Sequence, residues 1–182
     1  MKQLPLYVVA LAIAAAGCSS SEPSGKSSAS PSGSAAAQAT LKVGDAAPSV
    51  TLKLHDGRSI DLASLKGKFV LVYFYPKDDT PGCTIEARGI KEEWEKFQAA
   101  GIEVFGVSTQ DAASHQSFID KYELPFPLVT DGVEVAEAFG VPMKNGLTER
   151  QSFLIGKDGK VIAVWTKVDP SQHADEVLSA AS

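Results

Sequence analysis

The sequence predicts an α/β domain with a central mixed β-sheet flanked by helices and preceded by an N-terminal hairpin. Three observations carry that reading. The runs "KFVLVYFYP" (Lys68 to Pro76) and "GIEVFGVS" (Gly101 to Ser108) are continuous, apolar and rich in β-formers, as strands buried on both faces are. Each is followed by a stretch whose apolar residues recur at spacings of three and four, the period of an amphipathic helix. Near the end, "QSFLIGKDGKVIAVWT" reads as a hairpin turning at Asp158-Gly159, which makes the sheet mixed.

Taken in order, the chain begins with Lys2 and an apolar run from Leu4 to Ala16. That run is too short for a bilayer core, which takes about 20 residues, and fits a secretory signal over residues 1–17. Residues 19–40 are almost entirely Ser, Ala, Gly and Pro and lack the apolar side chains to build a core, so 18–40 reads as a flexible tether. The folded part is expected over 41–182. "SVTLKLHDGRSIDL" alternates and turns at Asp56-Gly57, a strand pair at the domain start. Past the first buried strand, Ala87, Ile90, Trp94 and Phe97 predict one helix closed by Gly101. "DAASHQSFIDKYEL" predicts a helix capped by Asp111, "FPLV" a short strand, "VEVAEAFGV" a short helix ending near Gly140, and "HADEVLSAA" a terminal helix. The order suits a thioredoxin-like fold, although pattern alone leaves other α/β topologies open.

Charge narrows the function. The net charge is -5, with no basic run beyond Lys66-Gly67-Lys68, so nucleic acid and anionic lipid are not partners by charge. The chain has two cysteines, Cys18 and Cys83. In "KDDTPGCTIEA", Thr80 is a good N-cap and Pro81 a favoured first helical residue, which puts Cys83 in the first turn. There the unpaired N–H groups and the positive helix end favour a thiolate, the reactive form. A small buried apolar cysteine is the other local reading.

At this point the residues resemble a known family. "YFYPKDDTPGCTIEA", with "VGDAAPSVTL" and "LKGKFVLVYFYP" before it and "SHQSFIDKYELPFPLVTD", "ERQSFLIGKDGKV" and "VDPSQHADEVL" after it, is similar to the peroxiredoxins, nearest the bacterioferritin comigratory protein or peroxiredoxin Q subgroup. The resemblance implies a thioredoxin-like fold and reduction of hydrogen peroxide or organic hydroperoxides without metal, haem or flavin. It implies that Cys83 is the peroxidatic nucleophile, with Pro76, Thr80 and Arg150 completing the site and Glu86 supporting it. Moving a thiol from about 8.5 to about 6 takes roughly 3.4 kcal/mol, and a helix N-terminus supplies at best about 2, so a cation such as Arg150 is required. Many members of the subgroup carry a resolving cysteine five positions on; here that position is Arg88, and no cysteine follows Cys83. The expected reductant is therefore external: a thioredoxin- or glutaredoxin-like protein, or a small thiol. "LAIAAAGCSSS" likewise resembles a bacterial lipoprotein signal, with Ala15 where Leu is usual. It implies lipid on Cys18 and an anchored, periplasm-facing envelope protein, in the outer membrane given Ser19. Members of the subgroup are often monomers, and a monomer is expected.

Other readings are weaker. A disulfide oxidoreductase needs a Cys-x-x-Cys pair, whereas Thr84, Ile85 and Glu86 follow Cys83. A metal-carrying lipoprotein needs more soft ligands than the scattered His55, His115 and His173, which read as solvated side chains, the last two on helix surfaces. A sensor signalling through sulfenylated Cys83 is the stronger alternative. Trp94 and Trp165 are expected in the core.

Overall fold

A computed structural model describes residues 39–182. The expected signal segment and Cys18 lie outside the described residues. Thr40, at the end of the stretch read as tether, donates from its hydroxyl to the Gly140 carbonyl at 2.7 Å.

The two apolar runs form the centre of the sheet because their side chains alternate between two covered faces. Strand β3 (Phe69–Phe74) pairs in parallel with β4 (Ile102–Val107), from Phe69 opposite Ile102 to Phe74 opposite Val107. Strand β5 (Leu128–Val129) extends the parallel side. On the other edge β8 (Gln151–Ile155) runs antiparallel to β3 and to β9 (Val161–Trp165), giving the order β5-β4-β3-β8-β9. The N-terminal hairpin joins β1 (Thr51–Lys53) to β2 (Ser59–Asp61). Sheet and hairpin match the expected class.

Five helices cover the sheet. Helix α4 (Gly132–Phe139) and the hairpin residues Leu52 and Leu54 pack on the face carrying Val70, Val72 and Phe74. The opposite face carries Leu71, Tyr73 and Tyr75. It is covered by α1 (Pro81–Glu92), α2 (Trp94–Ala100), α3 (Ala112–Tyr122) and α5 (His173–Ala180). Asp111 caps α3 through a 2.9 Å bond from the Ser114 N–H, and α4 ends at Gly140 in the left-handed region, as read.

Four details differ from expectation. The single helix predicted through Phe97 is two, broken at Glu93, which has φ -96° and ψ 12°. Glu93 still donates to Gly89 and accepts from Phe97, so the spacing of three and four survives a local unwinding that periodicity cannot detect. A small hairpin, β6 (Met143–Lys144) with β7 (Leu147–Thr148), turns at Asn145-Gly146, both with positive φ. Trp94 and Trp165 sit half-buried at the edge of the second core rather than inside it. His115 and His173 are not solvated: both are fully buried, each facing a carboxylate from another part of the chain, while His55 is half-buried.

Candidate active site

The end of β3 and the start of α1 bring the site together. After Tyr75 the chain leaves the sheet at Pro76 and must reverse before α1 begins. Two adjacent aspartates make that turn. Asp79 adopts φ 54°, unusual for a residue with a Cβ, and its carboxylate takes bonds from Lys121 Nζ at 2.6 Å and Tyr122 Oη at 2.6 Å. Asp78 points inward, accepting from Tyr75 Oη at 2.7 Å and Ser114 Oγ at 2.6 Å, and meets His115 Nδ1 at 2.9 Å. His115 Nε2 donates to the Val129 carbonyl at 3.0 Å, which ties the turn to the sheet. Burial alone would raise the Asp78 carboxyl, but the bonds from His115, Ser114 and Tyr75 together hold it below its ordinary value.

Thr80 occupies the N-cap position with extended dihedrals, yet its hydroxyl does not cap; it donates to the Lys77 carbonyl at 3.1 Å. Pro81 is the first helical residue, and the first bond at this end is Thr84 N–H to the Thr80 carbonyl at 2.9 Å. The Cys83 N–H therefore lies ahead of the ladder, beside its own sulfur, at the helix end where anions are favoured. Cys83 is 2% exposed.

Arg150 enters from the residue before β8. Its Nη2 donates to Cys83 Sγ at 3.1 Å, and its Nη1 donates to Glu86 Oε2. Gly82 makes room for this: a Cβ there would lie 3.2 Å from Arg150 Nη2. Glu86, one helical turn after Cys83, has a fully buried side chain. Burial outweighs the attraction of Arg150 and pushes its carboxyl up to about 7. Pro76, with Leu147, Thr148, Lys167 and Arg150, lines a surface groove of about 540 Å³. The Thr148 hydroxyl donates to the Tyr75 carbonyl at 2.8 Å, holding the groove floor to the end of the sheet.

The structure thus sets Arg150 against both Cys83 and Glu86 and places Pro76 and Thr80 on the same turn. Sequence reasoning missed Asp78, His115 and Gly82. The paired "DD" before a helix cap was a signal for a turn with one buried carboxylate, but nothing in the sequence named its partner. No group of three or more His, Cys, Asp or Glu side chains converges as a metal site among the described residues.

Such an arrangement can hold a sulfur nucleophile against a fixed cation and bind a small polar molecule between the guanidinium and the helix end. Comparison with known proteins points the same way. The family model described as AhpC/TSA matches residues 43–164. A Coxiella burnetii protein carrying the name of a bcp-type peroxiredoxin is 44% identical over 147 residues, covering 76% of this chain and 97% of its own. The chloroplastic peroxiredoxin Q of Populus jackii is 43% identical over 77% of this chain and 68% of its own. Among solved structures, Xanthomonas campestris peroxiredoxin Q superposes with a TM-score of 0.70 at 38% identity, covering 79% of this chain and 96% of that one.

Proposed function

The chain belongs to the AhpC/TSA family, and from that premise we propose that it is a thiol peroxidase of the peroxiredoxin Q type working through Cys83. The observation that carries the reading is the 3.1 Å contact of the Arg150 guanidinium with Cys83 Sγ at the start of α1. The thiolate sulfur attacks one peroxide oxygen, forming an S–O bond as the O–O bond breaks. The electron pair leaves with the second oxygen, which takes a proton and departs as water or an alcohol. Arg150 and the Cys83 N–H stabilise the charge that develops, and the Thr80 hydroxyl, three residues before Cys83, orients the peroxide once it leaves the Lys77 carbonyl. A Xanthomonas campestris relative, 37% identical, is described as reducing alkyl peroxides, which supports organic hydroperoxides as substrates here too.

Attack leaves Cys83 as a sulfenic acid, and Arg88 stands where a resolving cysteine would. We therefore read the enzyme as a one-cysteine type. An external thiol displaces water to form a mixed disulfide, and a second thiol releases Cys83. The thiol comes from a thioredoxin- or glutaredoxin-like protein or a small molecule. The lipoprotein-like segment supports an anchor on Cys18 and a place in the cell envelope facing the periplasm, and the likeness to the peroxiredoxin Q subgroup supports work as a monomer. The missing internal partner also suits a sensor whose output is sulfenylated Cys83.

Mass spectrometry after one equivalent of peroxide and a sulfenic-acid trap tests the proposal, with Cys83→Ser alongside. Trapping confined to Cys83, with steady turnover on added thiol, is the expected result. Trapping without turnover makes the sensor the better reading, and an unmodified Cys83 with peroxide left unconsumed overturns both.

A further inference from the structure

Behind the Cys83–Arg150–Glu86 contacts lies a group that the reaction above does not use. His173 is the first residue of α5, with a fully buried side chain, and among the described residues neither of its ring nitrogens has a hydrogen-bond partner. Its Nε2 lies 3.9 Å from Glu86 Oε1. That oxygen is also buried and without a partner, whereas the other oxygen of the same carboxylate is taken by Arg150. The ring is held in place by Trp165 of β9, edge to face at 5.2 Å and 83°. Two buried polar atoms that face each other across such a gap form one hydrogen bond after a shift of about 1 Å, or share a bridging water.

We propose that His173 is a positioning residue for the peroxidase reaction, acting through Glu86 to keep Arg150 on the Cys83 sulfur. The proposal rests on the reading of Cys83 as the nucleophile. An ionised Glu86 anchors the guanidinium; a protonated one still accepts a hydrogen bond but has lost its charge, and holds Arg150 less tightly. His173 favours the ionised form by offering Glu86 an N–H.

The surrounding charges agree with that role. Burial, and then the Arg150 charge, push the His173 imidazole down to about 4, so it is neutral near pH 7 and has a single N–H to give. Two carboxylates compete for it. Glu176, on its own helix, brings Oε2 to 3.7 Å from Nδ1, and that oxygen is buried, but the side chain as a whole is 40% exposed, so water can solvate the rest of its carboxylate. Glu86 is cut off from water and gains more from the bond. On its other sides Glu86 is faced by Arg150, with Cys83 a turn away on the same helix and Tyr73 of β3 near enough to feel its charge. The α2 helix, which also packs on α5, brings Lys96 toward Asp175.

The test uses the full chain with His173→Phe and His173→Gln. Two quantities are read: the titration midpoint of the Glu86 carboxyl by carbon NMR, and the acid limb of kcat/KM for hydrogen peroxide with dithiothreitol as donor. Loss of the donor in His173→Phe should raise both by about one pH unit, and His173→Gln, which keeps an N–H, should recover most of the shift. If His173→Phe does not fold, His173→Leu replaces it. A variant that loses thermal stability while the Glu86 midpoint stays put means the histidine only packs, and the proposal fails. Peroxide turnover by the wild type with an unmoved Glu86 midpoint sinks this inference and leaves the peroxidase reading intact. A moved midpoint in a protein that consumes no peroxide does the reverse: the His173–Glu86 coupling stands and the reading of Cys83 does not.

Discussion

Two buried carboxylates flank Cys83, each set against a buried histidine, and they behave in opposite ways. Asp78 has three partners, from Tyr75, Ser114 and His115, and is held below the ordinary carboxylate range. Among the described residues Glu86 has one partner on one oxygen and none on the other, and it is pushed up to about 7. Both are carboxylates beside a histidine; the number of donors within reach differs. Burial raises any carboxyl, and only enough hydrogen bonds to the charged form reverse it. Asp78 is consequently a fixed anchor for the turn, while Glu86 can gain or lose a proton near neutral pH beside the reactive sulfur. A satisfied pair builds the site, and an unsatisfied one leaves it adjustable.

The largest effect is expected from breaking the satisfied pair. Asp78→Ala leaves His115, the Tyr75 hydroxyl and the Ser114 hydroxyl without their acceptor, and should cost about 3–5 kcal/mol. For a domain of this size that lowers the melting temperature by roughly 10 °C. A loss under about 1 kcal/mol in urea unfolding would show that the network does not anchor the turn.

The unsatisfied pair gives a smaller effect with a sign that depends on pH. Folded Glu86 keeps its proton up to about 7 against an ordinary value of 4.5, so its contribution to stability is present below 4.5 and lost as pH rises through 7. His173 is depressed from 6.5 to about 4, so its contribution is present above 6.5 and lost as pH falls through 4. In the wild type the two oppose each other over much of this range. Glu86→Gln removes the first, and the stability of the variant relative to wild type should grow by about 3 kcal/mol between pH 4.5 and pH 8. Unfolding by urea at both pH values measures this. A difference that stays constant with pH means Glu86 titrates normally.

The smallest effect belongs to the neighbouring aspartate on the outside of the same turn. Asp79 and Lys121 remain 46% and 55% exposed, so Lys121→Met should leave the melting temperature almost unchanged. A change as large as that of Asp78→Ala would erase the contrast between the buried and exposed carboxylates.

Much of the molecule was readable because its signals are local. The unbroken apolar run in "KFVLVYFYP" marks β3 as a strand buried on both faces, Asp111 and Gly140 mark helix ends, and the loop around Cys83 carries its own family pattern. The break at Glu93 was not readable, since the apolar spacing is the same with or without it. Burial of His115 and His173 was missed for a different reason. On an amphipathic helix a histidine counts as outward-facing, and each owes its burial to a carboxylate contributed by a distant part of the chain.

The sequence by itself therefore determined the α/β class, the chain order of the five strands of the central sheet and the position of one cysteine at a helix start. Each of these follows from residues within a few positions of one another. Only the tertiary structure decided that Arg150 reaches Cys83 across the opening left by Gly82, that Glu86 is sealed behind it, and that His173 faces the free oxygen. Those relations depend on which surfaces the sheet and helices press together, and on how much water they exclude. Dielectric and donor count are properties of that packing, which no stretch of sequence carries alone.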